Sequence, residues 1–203
     1  QQTNKVDFIK CNALVIPNQF EKSISGGIIY EFKVLKPIDT IKIDAINMDF
    51  ENVSINNVPV KFINTNKELL LFEGFKKGKN SLTFSYSAKP KQTLYFTGEG
   101  EYLQIWTQGQ GKYTSFWLPS FDDVNEKVIF NLSVIFNKKF TVLANGIKTS
   151  SLSDGNQMSF NGNGELELYH YQMQKPMSSY LVMLAIGNFE KQFETSKSGT
   201  PLE

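Results

Sequence analysis

No arginine occurs among the 203 residues, so each of the 21 basic side chains is a lysine. The bidentate guanidinium contacts that read guanine edges or clamp phosphates are therefore excluded. The lysines are spread along strand-like segments and balance 20 acids to a formal net charge of +1, so nucleic acid is not an expected partner. Cysteine occurs once, at Cys11, which excludes an intramolecular disulfide and leaves the core to hold the fold. Histidine also occurs once, at His170. A catalytic zinc takes about three protein ligands, so one histidine and one cysteine do not supply a metal set, and no HExxH pattern is present. No run reaches the roughly 18 apolar residues of a membrane helix. The longest candidate, Tyr180 to Phe189, is interrupted by Gly187 and Asn188, and no membrane span is expected.

Nucleophilic catalysis lacks its parts as well. There is no G-x-S-x-G elbow, and Cys11 lies among Phe8, Ile9 and Ala13, where a buried, inert thiol is expected. Gly98-Glu99-Gly100 precedes a strand and so does not read as a phosphate loop. His170 follows Leu166 and Leu168 at even spacing and reads as a core or interface histidine. Two carboxylate pairs, Glu99 with Glu101 and Asp122 with Asp123, are the remaining candidates, in principle for glycoside hydrolysis. Adjacent strand residues face opposite ways, so Asp122 is better read as a hydrogen-bond acceptor for amides of its own loop. No catalytic residue is assigned.

What is present is apolar side chain, 40% of the residues, with 13% aromatic, enough for one domain or two closely packed halves. Its period is 2. Ile28, Tyr30, Phe32 and Val34 alternate with Glu31 and Lys33, and Ile41, Ile43 and Ala45 with Lys42 and Asp44. Val53 and Ile55, then Asn56-Asn57, then Val58, Val60 and Phe62 predict two strands around a two-residue hairpin. Further strands are predicted at 69–72, 82–86, 94–96, 102–106, 128–136, 140–143, 166–168 and 180–186. The expected fold is all-β, with mostly antiparallel sheets packed face to face.

The segment 104–127 breaks the alternation and concentrates Trp106, Tyr113, Phe116, Trp117, Asp122 and Asp123. A long connection inside a compact domain marks a binding surface or a docking element. The aromatics suit either a sugar-stacking platform, as in a stand-alone carbohydrate-binding or adhesion module, or anchoring to the core or a neighbouring domain.

At this loop the sequence resembles the M1 family of zinc aminopeptidases, which includes aminopeptidase N. The family carries T-Q-x-[EQ], about eight residues, then P-C-F-D-E-P and a strand. Here Thr107-Gln108-Gly109-Gln110 is followed at that interval by Pro119-Ser120-Phe121-Asp122-Asp123-Val124 and Val128 to Leu132. Phe140 to Gly146 is similar to the family's "tvlSNg" strand, and 175–190 to its "pMsTYL…vGdFe" close. The resemblance implies a saddle-like β-sandwich over residues 1–195, with 196–203 a linker stub or cloning remnant. It implies no cofactor in this chain and zinc in a following catalytic domain, which would be the partner of this one, with peptides as substrates and this chain alone inactive. By position, Gln108 would wall the pocket for the first side chain of the substrate and Gln110 would contact its α-amine. Trp106, Phe116, Trp117 and Asp122 would anchor the loop or the interdomain contact, partly bare in this chain. Ser115 stands where many members have arginine, and Ser120, Asp123 and Val124 replace the usual Cys, Glu and Pro. The opening Gln1-Gln2-Thr3-Asn4 fits a mature chain after signal-peptide removal or a trimmed one, and an exported, periplasmic or cell-surface location is expected.

Overall fold

The computed structural model describes residues 2–149, 166–190 and 192–202, which leaves out Gln1 and Glu203 at the two ends. In chain order the strands are β1 (Val6–Asn18), β2 (Ser23–Val34), β3 (Ile41–Asp44), β4 (Met48–Ile55), β5 (Val58–Pro59), β6 (Phe62–Asn64), β7 (Glu68–Leu71), β8 (Gly78–Ala88) and β9 (Leu94–Thr97). They continue as β10 (Gln104–Thr107), β11 (Lys127–Asn137), β12 (Thr141–Ala144), β13 (Ile147–Thr149), β14 (Leu166–Gln172), β15 (Met177–Ser178), β16 (Leu184–Gly187), β17 (Glu194–Thr195) and β18 (Pro201–Leu202). Helical structure among the described residues is confined to three-residue 3₁₀ turns, including Gly100–Tyr102, Thr114–Phe116 and Ser179–Leu181.

The largest sheet has the order β13-β14-β11-β1-β2-β8-β4-β5, with β15 added on β11. A four-stranded sheet, β12-β16-β10-β9, and a three-stranded sheet, β3-β7-β6, accompany it, and β17 pairs with β18 as a separate ribbon. Pairings between described strands are antiparallel except β1 with β11, which run parallel from Lys10↔Ile129 to Val15↔Val134. The protein is thus all-β, as the period-2 pattern predicts.

Alternation explains which face each strand buries. Ile28, Tyr30, Phe32 and Val34 of β2 and Leu82, Phe84 and Tyr86 of β8 enter one continuous core with Ile41 and Ile43 of β3 and Ile105 of β10. The expected hairpin forms with Asn56 and Asn57 at φ 53° and 64° and Ile55 opposite Val58. β1 carries a bulge where the register with β2 shifts between Phe8 and Lys10. The bulge brings Phe8 and Cys11 to the same inner face and turns the Phe8 N–H toward Glu126 Oε1 at 3.1 Å.

Four predicted segments differ in detail. Residues 102–106 begin as a 3₁₀ turn, and their strand is Gln104–Thr107. Tyr180 and Leu181 lie in a 3₁₀ turn, with the strand starting at Leu184. The run Val58 to Phe62 splits at Pro59, which has no N–H to extend the ladder. In β14 the buried side chains are Tyr169 and Tyr171, so Leu166, Leu168 and His170 occupy the other, half-buried face. The tyrosines take the core because their hydroxyls reach Phe140 O and Val142 O, at 3.1 and 2.5 Å.

The sheets are held together by the connection that follows β10. Trp117 is fully buried, and Leu118, Pro119, Ser120 and Phe121 are buried beside it. Phe121 packs on Phe8 at 4.4 Å between ring centroids and on Tyr30 at 5.5 Å. From the large sheet the Tyr30 hydroxyl donates to Pro119 O (2.7 Å) and the Tyr86 hydroxyl to Trp117 O (2.9 Å). From the three-stranded sheet Asp44 exchanges both backbone hydrogen bonds with Ser120, each 2.9 Å.

Two outcomes follow for stability. Trp117→Ala is expected to cost about 3–5 kcal/mol in urea unfolding, against less than about 0.5 kcal/mol for Tyr102→Ala, whose ring is exposed. Burial pushes the Glu126 carboxyl from its ordinary 4.5 up to about 7, opposed by the Phe8 N–H and assisted by the Asp7 and Asp123 charges. The folded state then holds this proton more tightly than the unfolded chain, so its stabilisation is complete below about pH 4.5 and is lost as pH rises through about 7. Unfolding measured from pH 5 to 8 should show a decline of up to about 3 kcal/mol that Glu126→Gln, which keeps the acceptor, removes.

Candidate functional site

β10 lies between β9 and β16 and ends at the loop that the sequence singles out. Ile105 points into the core, so Trp106 points outward. Register places Trp106 in a row across the sheet, Leu143 opposite Ala185, Ala185 opposite Trp106, and Trp106 opposite Tyr95. Trp106 lies on Tyr95 at 4.7 Å between ring centroids and is half-buried. Leu143 and the neighbouring Met183 are each 37% exposed, which makes this outer face apolar.

At the strand's end the Thr107 hydroxyl accepts from Leu184 N (3.0 Å) and donates to Leu184 O (3.3 Å). Gln108 N donates to Thr93 O at 2.8 Å, one rung beyond the β9–β10 ladder. The chain then leaves the sheet as Gln108-Gly109-Gln110-Gly111-Lys112-Tyr113. Gln108 and Gln110 are exposed, and no hydrogen bond ties either carboxamide to the described residues. Gly109 is required by closeness, because a Cβ there would sit 2.9 Å from Tyr180 O. Gly111 adopts φ 79°, which favours glycine.

The return limb is heavily tied. Tyr113 N donates to Asp122 Oδ1 (3.2 Å), and Tyr113 O accepts from the Thr93 hydroxyl (2.8 Å). Ser115 Oγ donates to Asp122 Oδ2 (3.0 Å), and Thr114 Oγ1 to Ser179 O (2.9 Å). Asp122 N donates to Asp44 Oδ2 at 2.7 Å, and burial raises the Asp44 carboxyl above its ordinary range. Asp122 therefore accepts a backbone amide of its own loop, and Asp123 instead accepts from Asn125 and Thr3. Those bonds, the Asn125 N–H foremost, hold the Asp123 carboxyl below its ordinary value. The two aspartates thus serve separate hydrogen-bond sets.

Phe116 is half-buried and meets Tyr113 edge-on at 5.9 Å. Trp117 departs from the expectation of a partly bare interdomain contact, because its ring belongs to the core. Gln108, Gln110 and Trp106 come together at one end of β10, and Phe116, Trp117 and Asp122 form the support behind them. Thr93, which bridges both limbs of the loop, escaped the sequence reading. Nothing in Lys91-Gln92-Thr93 signals that a β-branched residue adopts φ 72°, a conformation that costs about 1–3 kcal/mol.

The donors present do not fit a zinc ion. Among the described residues no three of His, Cys, Asp and Glu converge. Burial pushes the Cys11 thiol up to about 12, far from a thiolate ligand. His170 is engaged on both nitrogens, by Ser133 Oγ at 2.7 Å and Gln172 Nε2 at 3.1 Å.

Comparison with known proteins bears on this site. "Probable aminopeptidase 1" of Sulfurisphaera tokodaii is 28% identical over 162 residues, 78% of this chain and 19% of that protein. "Leucine aminopeptidase 2" of Candida glabrata is 25% identical over 194 residues, 89% of this chain and 28% of that protein. The chain thus spans less than a third of these relatives. An M1 zinc metallopeptidase of known structure from Deinococcus radiodurans superimposes with a TM-score of 0.76 at 16% identity, covering 94% of this chain and 44% of that one, and shares the fold. The family model of the peptidase M1 N-terminal domain matches residues 9–181. With that span covering most of the sandwich and the loop just described, the chain belongs to the M1 peptidase family, as its N-terminal domain.

Proposed function

We propose that this chain is the non-catalytic N-terminal domain of a zinc metallo-aminopeptidase and that its Gln108–Tyr113 loop forms part of the pocket for the N-terminal residue of a peptide. One observation carries the reading: two exposed carboxamides with no partner among the described residues sit on a loop whose two limbs are both fastened to the sandwich. The relatives bear aminopeptidase names, which supports the reaction class. The Gln110 amide oxygen is suited to accept from an α-ammonium group, and Gln108 to line the space for the first side chain. Zinc and the hydrolytic groups belong, in this proposal, to a catalytic domain that follows, and the residues here bind and orient. The apolar row Leu143, Ala185, Trp106 and Tyr95 is the face on which that domain docks. The rival carbohydrate platform is weakened by the burial of Trp117, which removes one of its two tryptophans from any surface.

Kinetics of the full-length gene product test the pocket. Gln110→Ala should raise KM for aminoacyl substrates about tenfold with kcat retained, since a hydrogen bond to a charged group contributes about 1.5 kcal/mol. Gln110→Glu should lower KM, because a carboxylate holds an ammonium more strongly than an amide does. Unchanged KM in both variants would remove Gln110 from the pocket. The docking face is tested by heat: Trp106→Asp should lower the Tm of the full-length product by more than it lowers that of the 203-residue chain.

A further inference from the structure

We propose that Thr93 is a positioning residue for substrate recognition, a clasp that closes the Gln108–Tyr113 loop and fixes the direction of its two glutamines. The inference rests on the reading of that loop as part of the substrate pocket. Thr93 is buried, 3% exposed, in the bend just before β9, and one residue makes both closing contacts. Its carbonyl accepts from Gln108 N on the outgoing limb, and its hydroxyl donates to Tyr113 O on the returning limb, each at 2.8 Å. The loop is thereby closed at its neck, while Gln110, Gly111 and Lys112 stay exposed beyond it.

The backbone at Thr93 sharpens the point. At φ 72° glycine is the relaxed choice and a β-branched residue the strained one, so local conformational preference does not account for threonine here. The hydroxyl does account for it: Tyr113 O accepts from Phe116 N (3.0 Å) within the returning limb itself, and among the described side chains the Thr93 hydroxyl alone ties that carbonyl across the neck. Gly109 and Gly111 make the loop between the two anchors intrinsically pliable, so its pose depends on the neck. Tyr113 itself sits at φ 77° and is held at N by Asp122 Oδ1. A shift at Tyr113 O would thus be felt in the chain that carries Gln110.

Three variants separate the hydroxyl from the strain. Thr93→Val removes the hydroxyl at nearly constant shape, Thr93→Ser keeps it, and Thr93→Gly removes it while relaxing the backbone, so at least one hydroxyl-free variant folds. Amide hydrogen exchange in the 203-residue chain is the first readout. The amides of Gln108 and Tyr113, hydrogen-bonded to Thr93 O and Asp122 Oδ1, should exchange tenfold or more faster in Thr93→Val and Thr93→Gly, while Thr93→Ser matches the parent and core amides of β1 and β11 are unmoved. Equal loop exchange in all four proteins would overturn the clasp. The second readout is KM in the full-length product, which should rise about fivefold in the hydroxyl-free variants with kcat retained and return in Thr93→Ser. A loosened loop with unchanged KM would overturn the recognition role of Thr93, and would do so independently of the result at Gln110.

Discussion

Burying a connecting loop at the centre of a β-sandwich strips water from its amides and carbonyls, and each must then find a partner in the protein. In this chain the segment Thr114 to Phe121 occupies that position, and the partners come from the large sheet, the three-stranded sheet and the 3₁₀ turn Ser179–Leu181. Tyrosines 30 and 86 of the large sheet reach in to Pro119 O and Trp117 O. Asp44 of β3 pairs with Ser120 in both directions, and Ile46 N adds a bond to Ser115 O. Near the four-stranded sheet, Ser179 receives the Thr114 hydroxyl at its carbonyl and directs its own hydroxyl to Phe121 O. The loop is therefore a keystone: removing it would leave the hydroxyls of two buried tyrosines unpaired and the inner faces of the sheets without the Trp117 and Phe121 rings between them.

That constraint explains how a flexible-looking sequence presents a defined surface. Residues 108–113 leave the sandwich at Thr107, whose hydroxyl is bound to both backbone groups of Leu184, and return to the buried turn Thr114–Phe116. The two ends of the excursion are thus set by packed structure, and only its tip is free. A loop built this way loses little conformational freedom when a ligand arrives, because most of the ordering has already been done by the core. The same keystone is tied to the part of the fold that weakens as pH rises. Glu126, two residues beyond Val124, whose carbonyl accepts from Ser178 Oγ, is buried against the bulge of β1. The chain leaving the keystone thus enters β11 through a carboxyl whose charge is disfavoured.

The fold was legible wherever one sheet face is buried and the other wet. Ile28 to Val34 and Ile41 to Ala45 show this, since period 2 has a single physical meaning there. It failed where polar atoms decide burial. Tyr169 and Tyr171 go inward in preference to Leu166 and Leu168 because their hydroxyls meet carbonyls contributed by the 140–142 region, a tertiary fact that no local pattern contains. The parallel pairing of β1 with β11, more than a hundred residues apart, is equally invisible to local periodicity. At the candidate site, the family-like residues Gln108, Gln110 and Asp122 were readable as a motif. Thr93 was not, because its importance lies in a backbone conformation and in two contacts across the loop's neck.

The departures from the family's motif can now be weighed by what each position contributes. Ser120, in place of the usual cysteine, acts through its backbone pairing with Asp44, and its buried hydroxyl has no partner among the described residues, so the side chain fills volume at a desolvation cost of about 1–3 kcal/mol. Val124 is 45% exposed and offers its carbonyl to Ser178. Asp123 bonds to Asn125 and Thr3 at the periphery. Ser115, where many members carry arginine, donates to Asp122, which in turn steadies Tyr113 N. Ser120 and Val124 thus fall where main chain or volume carries the structure, Asp123 and Ser115 make side-chain hydrogen bonds of their own, and the residues that hold the neck of the loop remain connected. The frame for the two glutamines thus survives the divergence of its sequence, and in the proposed pocket selectivity is left to the exposed side chains at the tip.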